Sequence, residues 1–104
     1  MTPNEQNKNE KLSPNAVWGK YPCPPEMTNK VIPIVLMAVN YCNLHKDETM
    51  EAKAIRLTLA LEAEYEAAAL YSHDCTLEDI QAHGLALGIA CRYRDSIIPS
   101  PYPF

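Results

Sequence analysis

No uninterrupted apolar run in this chain approaches the roughly 20 residues that span a bilayer. The opening stretch Met1-Thr2-Pro3-Asn4-Glu5-Gln6-Asn7-Lys8 is polar and holds nothing like the apolar segment of a secretory signal. These two absences set a cytoplasmic address, with no membrane partner, as the expectation. Positive charge is not in excess either. Nine Lys and Arg stand against 13 Asp and Glu, for a net charge of −4 at pH 7. Without a basic field nothing holds a polyphosphate backbone, so general DNA or RNA binding is excluded, although a small anion needs only a local cation or two. Glycine is scarce at three residues, and no phosphate-cradling loop or dinucleotide fingerprint occurs. There is no Gly-x-Ser-x-Gly elbow, no Cys-x-x-Cys knuckle and no Glu-x-x-His pair. The sequence therefore implies no cofactor and no catalytic apparatus.

The 104 residues amount to one small domain, 47% apolar. So small a domain needs good core packing, cross-links or oligomerisation for its stability. Four cysteines, Cys23, Cys42, Cys75 and Cys91, read as reduced thiols in a reducing compartment. Residues 1–24 are broken by Pro3, Pro14, Pro22 and Pro24. Proline lacks the backbone donor and fixes φ, so an extended arm without a helix is expected there, its first dozen residues disordered. At the other end, Pro99, Pro101 and Pro103 predict an extended tail over residues 99–104.

Between them, residues 25–98 read as an all-α domain, a three-helix bundle or a helical hairpin plus a helix. The first helix is predicted from Pro25 to Asn43, with Pro25 in its first turn and Pro33 as an interior obstacle. The run Val31-Ile32-Pro33-Ile34-Val35 is β-branched enough for a strand, but a lone strand with a central proline has no partner to pair with. The second helix is predicted to start at Asp47-Glu48, with Asp47 as N-cap, and to run to Ser72. The third is predicted from Thr76 to Ile97, with Thr76 and Asp79 as a capping pair.

These helices are apolar on more than one side. On the second, Met50, Ala54, Leu57, Leu61, Tyr65 and Ala68 form the predicted inward stripe, while Ile55, Leu59 and Leu70 lie almost opposite. On the third, Ile80, Gly84, Leu87 and Cys91 share one face and Leu85, Ile89 and Tyr93 the other. Each large aliphatic side chain left in water forgoes about 1.5–3 kcal/mol of burial. Either the arm and tail cover the second faces or a partner does. A homo-oligomer with Ile55, Leu59, Leu70, Leu85 and Ile89 at its interface is the expectation preferred. Gly84 and Gly88, at Gly-x-x-x-Gly spacing, predict close approach of another helix.

Candidate chemistry is sparse. His73, Cys75, His83 and Cys91 have the wrong spacing for a zinc site, and no metal is expected. Glu48-x-x-Glu51 and Glu62-x-Glu64-x-Glu66 are similar to the Mg²⁺-binding acidic helices of all-α nucleotide pyrophosphatases. Glu64 points away from the other two, and no Glu-x-x-Asp completes the set, so a solvated acidic stripe is the simpler reading. Two groups fit a small anionic ligand better. Arg92-Tyr93-Arg94 offers two guanidinium forks and a ring, though basic residues there also complement a helix dipole. Trp18, Lys20 and Tyr21 place two rings around a cation, and such an arm can equally cover a helix face.

The arm followed by a helical hairpin resembles the phage cyclic-oligonucleotide sponges that blunt CBASS immunity. The matching parts are Trp18-x-x-Tyr21 and Leu57-Thr58-Leu59-Ala60-Leu61-Glu62, within residues 18–70. The resemblance implies an oligomer that sequesters a cyclic nucleotide between protomers; the third helix and the lack of a matching lysine beyond Lys20 or Lys30 depart from it. Three functions follow as expectations: a non-enzymatic oligomeric interaction protein of inhibitor or adaptor type, a sponge-like nucleotide binder, and a Mg²⁺-dependent nucleotide pyrophosphatase. The first needs the fewest special residues.

Overall fold

The computed structural model describes residues 11–19 and 23–98. Regular structure among these residues is entirely helical. A short helix α1 (Pro14–Gly19) comes first. A 3₁₀ turn (Pro25–Met27) then leads straight into α2 (Thr28–Asn43). Helix α3 (Met50–Glu66) continues through a π-helical turn (Ala67–Tyr71), and α4 (Leu77–Ile97) completes the fold. Helices α2, α3 and α4 pack on one another as a three-helix bundle, the all-α architecture expected.

The local signals explain most boundaries. Thr76 accepts a hydrogen bond from Asp79 N at 3.1 Å, and the Asp79 carboxylate accepts one from Thr76 N at 3.1 Å, closing the predicted capping box of α4. Helix α3 departs from prediction at its start. Its N-cap is Thr49, whose hydroxyl accepts from Ala52 N at 3.2 Å, and not Asp47. Helix α2 passes through Pro33 without ending. The missing N–H leaves the Asn29 carbonyl without its helical partner on an exposed side of the helix, where Asn29 and Pro33 both face solvent and the cost is small.

The expectation of a helix-free arm fails at residues 14–19. Pro14 occupies the first helical position, where its missing N–H is one the helix would not use, and Ser13 caps the turn. The Ser13 carbonyl accepts from Val17 N at 3.1 Å and its hydroxyl from Ala16 N at 3.4 Å. Leu12 and Val17 are fully buried, and Trp18 packs half-buried on the same core. The Asn43 side chain fixes this segment by taking both backbone groups of Leu12: it accepts from Leu12 N at 2.7 Å and donates to Leu12 O at 2.9 Å. The predicted disordered dozen lies almost wholly outside the described residues, as do Lys20, Tyr21 and the predicted tail 99–104.

The core draws on α1 through α4. Val31, Val35, Ala38, Val39 and Cys42 of α2 meet Ala54, Leu57 and Leu61 of α3, which lie on the predicted inward stripe. Of the two predicted faces of α4, one places Ile89 and Tyr93 in the core, and Ile80, Gly84, Leu87 and Cys91 of the other are half-buried. Its buried residues, Ala82, Ala86, Ile89, Ala90 and Tyr93, form a single stripe, with Leu85 and Leu87 half-buried beside it. Ile89 is 5% exposed and so lies in the intramolecular core, where it cannot meet a second copy, while the flanking Leu85 is half-buried against that core. The physical reason is α1, which packs against both α2 and α4 and widens the arc of α4 that faces protein. Of the two glycines, only Gly84 serves close approach: a Cβ there would lie 3.3 Å from Tyr65 Cε1, whereas Gly88 faces open space.

Candidate interaction face and its groove

With α1 lying against α2 and α4, the outer side of the α2–α3 pair is left uncovered by any described element. On α2, Met37, Tyr41 and Leu44 recur at i, i+4 and i+7, so they line one edge of the helix. Met37 is 72% exposed, Leu44 as much, and Tyr41 about half. On α3, Ile55 and Leu59 are one turn apart and both exposed, Leu59 to 61%, as the sequence anticipated. An open groove of about 450 Å³ is lined by Tyr41 of α2, by Glu48, and by Ala52, Ile55, Arg56, Leu59 and Ala60 of α3, while Met37 and Leu44 lie outside it.

Its polar component is a single ion pair. Arg56 donates from Nε to Glu48 Oε1 at 2.9 Å and from Nη2 to Glu48 Oε2 at 2.7 Å, a bidentate clamp across eight residues. The hydrogen bond from Arg56 holds the Glu48 carboxyl below the usual carboxylate range, and the same bond raises the guanidinium above its own. The Tyr41 hydroxyl lies against Arg56, and the Tyr41 ring meets His45 edge-on at 5.4 Å between centroids. Beneath the groove, burial pushes the Cys42 thiol up to about 11. Lys53 is only 1% exposed, and its positive field reaches both Cys42 and Glu48.

Two smaller features sit elsewhere. A depression of about 280 Å³ between α2 and α4 is lined by Lys30, Cys75, Asp79 and His83 among others, and the Nδ1 of His83 is buried without a hydrogen-bond partner. Lys30 bridges to Asp79 at 3.0 Å and to Glu78 at 3.5 Å. At the α3–α4 turn, Leu70, Tyr71 and Leu77 are all well exposed. Leu70, predicted at the interface, therefore stands on the π-helical turn and does not line the groove.

The predicted ligand residues are not gathered into one site. Tyr93 is 3% exposed, so its ring is a core residue and not a stacking platform. Arg94 donates to the Asp95 carboxylate of its own helix, from Nε at 3.3 Å and Nη2 at 3.2 Å. Trp18 faces the core, and Lys20 and Tyr21 lie outside the described residues. Among the described residues no three His, Cys, Asp or Glu side chains converge as a metal site would require, and Glu62, Glu64 and Glu66 are all exposed. No described helix is long and apolar enough to cross a membrane.

The Met37-Tyr41-Leu44 edge and the Glu48–Arg56 clamp were not anticipated. Helix α2 reads as apolar nearly all round, which hides its outward side. Glu48 and Arg56 are eight residues apart with the helix start between them, outside the i, i+3 and i, i+4 pairs that sequence reveals. Comparison with known proteins finds no matching family model, no matching curated relative and no matching solved structure.

Proposed function

We propose that this chain is a non-enzymatic interaction protein that acts by presenting its α2–α3 face to a protein partner. The observation that carries this is the groove lined by Tyr41, Ile55 and Leu59, with Met37 and Leu44 exposed on the same helix as Tyr41. Scattered surface leucines are ordinary, but Tyr41, Ile55 and Leu59 line one groove, and Met37 and Leu44 stand exposed on the same helix as Tyr41, the kind of patch that marks interfaces. Its composition fits too: an aromatic, a methionine, aliphatics and one arginine, with a polar pair at one side.

The test separates this face from the core. Leu59→Glu places a charge on the exposed bank, and helical circular dichroism should stay at the wild-type level. Ile89→Glu places a charge in the core, and most of the helical signal should be lost. Any protein partner, self or foreign, that is retained by the wild type and by Glu64→Gln should be lost with Leu59→Glu. Equal retention by Leu59→Glu would remove the α2–α3 face from consideration.

A further inference from the structure

The geometry points to a second copy of this chain as the occupant of the α2–α3 groove, docked about a two-fold axis so that Arg56 of each copy lies beside the partner's Glu48. This rests on the α2–α3 face being an interface at all. It adds the identity of the partner and the register of the contact.

Three features favour self over a foreign occupant. The first is charge. The chain carries a net −4, so two copies repel in general, yet the groove holds one carboxylate and one guanidinium side by side. An occupant of a single charge sign leaves one of these two opposed by a like charge. An isologous contact supplies both signs in reversed order, because a two-fold axis sets each patch against its own inverted copy. The second is donor capacity. Glu48 takes two of the five N–H donors of Arg56 and the Tyr41 hydroxyl lies against the same group, so the guanidinium can keep both and still offer a donor to another carboxylate. The pair is not fully exposed: the Arg56 and Glu48 side chains are 36% and 25% accessible, at the depth of a groove wall.

The third is shape. Helices α2 and α3 have 16 and 17 residues, about 24–26 Å each at 1.5 Å per residue, and so are matched in length. Stacking this pair on itself gives a four-helix arrangement whose new core is Met37, Tyr41, Leu44, Ile55 and Leu59 from both copies. Helix α1 packs on α2 and α4 and so leaves that stacking surface clear.

Light scattering coupled to size exclusion, with sedimentation over a dilution series, tests the proposal on the full chain. The wild type should be a dimer that dissociates on dilution. Glu48→Arg alone gives a face with two cations and Arg56→Glu alone a face with two anions, so each variant should be monomeric. An equimolar mixture of the two restores opposite charges across the axis and should return the dimer mass. A mixture that stays monomeric overturns the two-fold pairing. A wild type that is monomeric at every concentration overturns self-association, while the interface reading survives with a foreign partner. A dimer that persists in both charge variants and in Leu59→Glu overturns both, since the contact then lies elsewhere. If either charge variant loses helicity, Leu59→Glu decides: a helical monomer supports the second copy and an unchanged dimer sinks it.

Discussion

Single side chains set the ends of these helices. Thr49 and Thr76 each satisfy a backbone N–H that would otherwise point into solvent without a helical partner. Thr49→Ala and Thr76→Ala should each lower the free energy of unfolding by about 0.5–2 kcal/mol in urea titrations, whereas Asp47→Ala should change it little. The capping box at Thr76 was legible because both partners are three residues apart. The cap of α3 was not, because Asp47 and Thr49 are both competent, and which one caps depends on how the chain leaves α2. The glycines make a second contrast. Gly88 faces open space, so Gly88→Ala should stabilise by about 0.5–1 kcal/mol through helix propensity alone. Gly84→Ala should gain less, since the new methyl meets the Tyr65 ring. Thermal melts of the two variants side by side would reveal the difference.

Helices α2 and α4 are tied near their N-terminal ends by Lys30, and the α2–α3 connection is tied to α3 by the Glu48–Arg56 clamp. The hydrogen bond from Lys30, then those from Thr76, hold the Asp79 carboxyl below its usual value of 3.8, and the bond from Arg56 holds Glu48 below 4.5. A carboxyl with a lowered pKa in the fold binds fewer protons folded than unfolded. Its contribution is therefore complete above those ordinary values and is lost as pH falls through the lower, folded ones. Lys30, raised chiefly by its bond to Asp79, contributes at every pH below its usual 10.5 and adds nothing to the acid limb. The melting temperature should thus fall on acidification below pH 4.5, and fall less steeply in the double variant Lys30→Met, Arg56→Met. The effect should be modest, since the pairs are partly exposed. Identical acid slopes in the two proteins would show that neither tie contributes. At this scale the positions of α2, α3 and α4 were legible from proline, capping and propensity signals. Helix α1 was not, although Ser13-Pro14 is a regular way to start a helix, because Pro3, Pro22 and Pro24 around it favour extended chain.

For the molecule as a whole, the excess of apolar helix surface was legible, but its division between inside and outside was not. The sequence offered a second face on α3 and another on α4, and packing treats them differently. Leu12, Val17 and Trp18 come back to the bundle and Ile89 and Tyr93 fall within the core, while Ile55 and Leu59 stay bare. That outcome depends on where a six-residue helix docks, which no period in α3 or α4 encodes. Lys53 marks the same limit: at 1% exposure it occupies a core position that residue type alone would assign to solvent.

The depth of Cys42 has a practical use. Its sulfur is fully buried and its proton is held to about 11, so at neutral pH it offers an alkylating reagent neither access nor an anion. Cys23, Cys75 and Cys91 are only half-buried and carry free thiols. The chain thus contains its own stopwatch: three sulfurs that modify early, and a fourth whose labelling rate records how often the bundle comes apart.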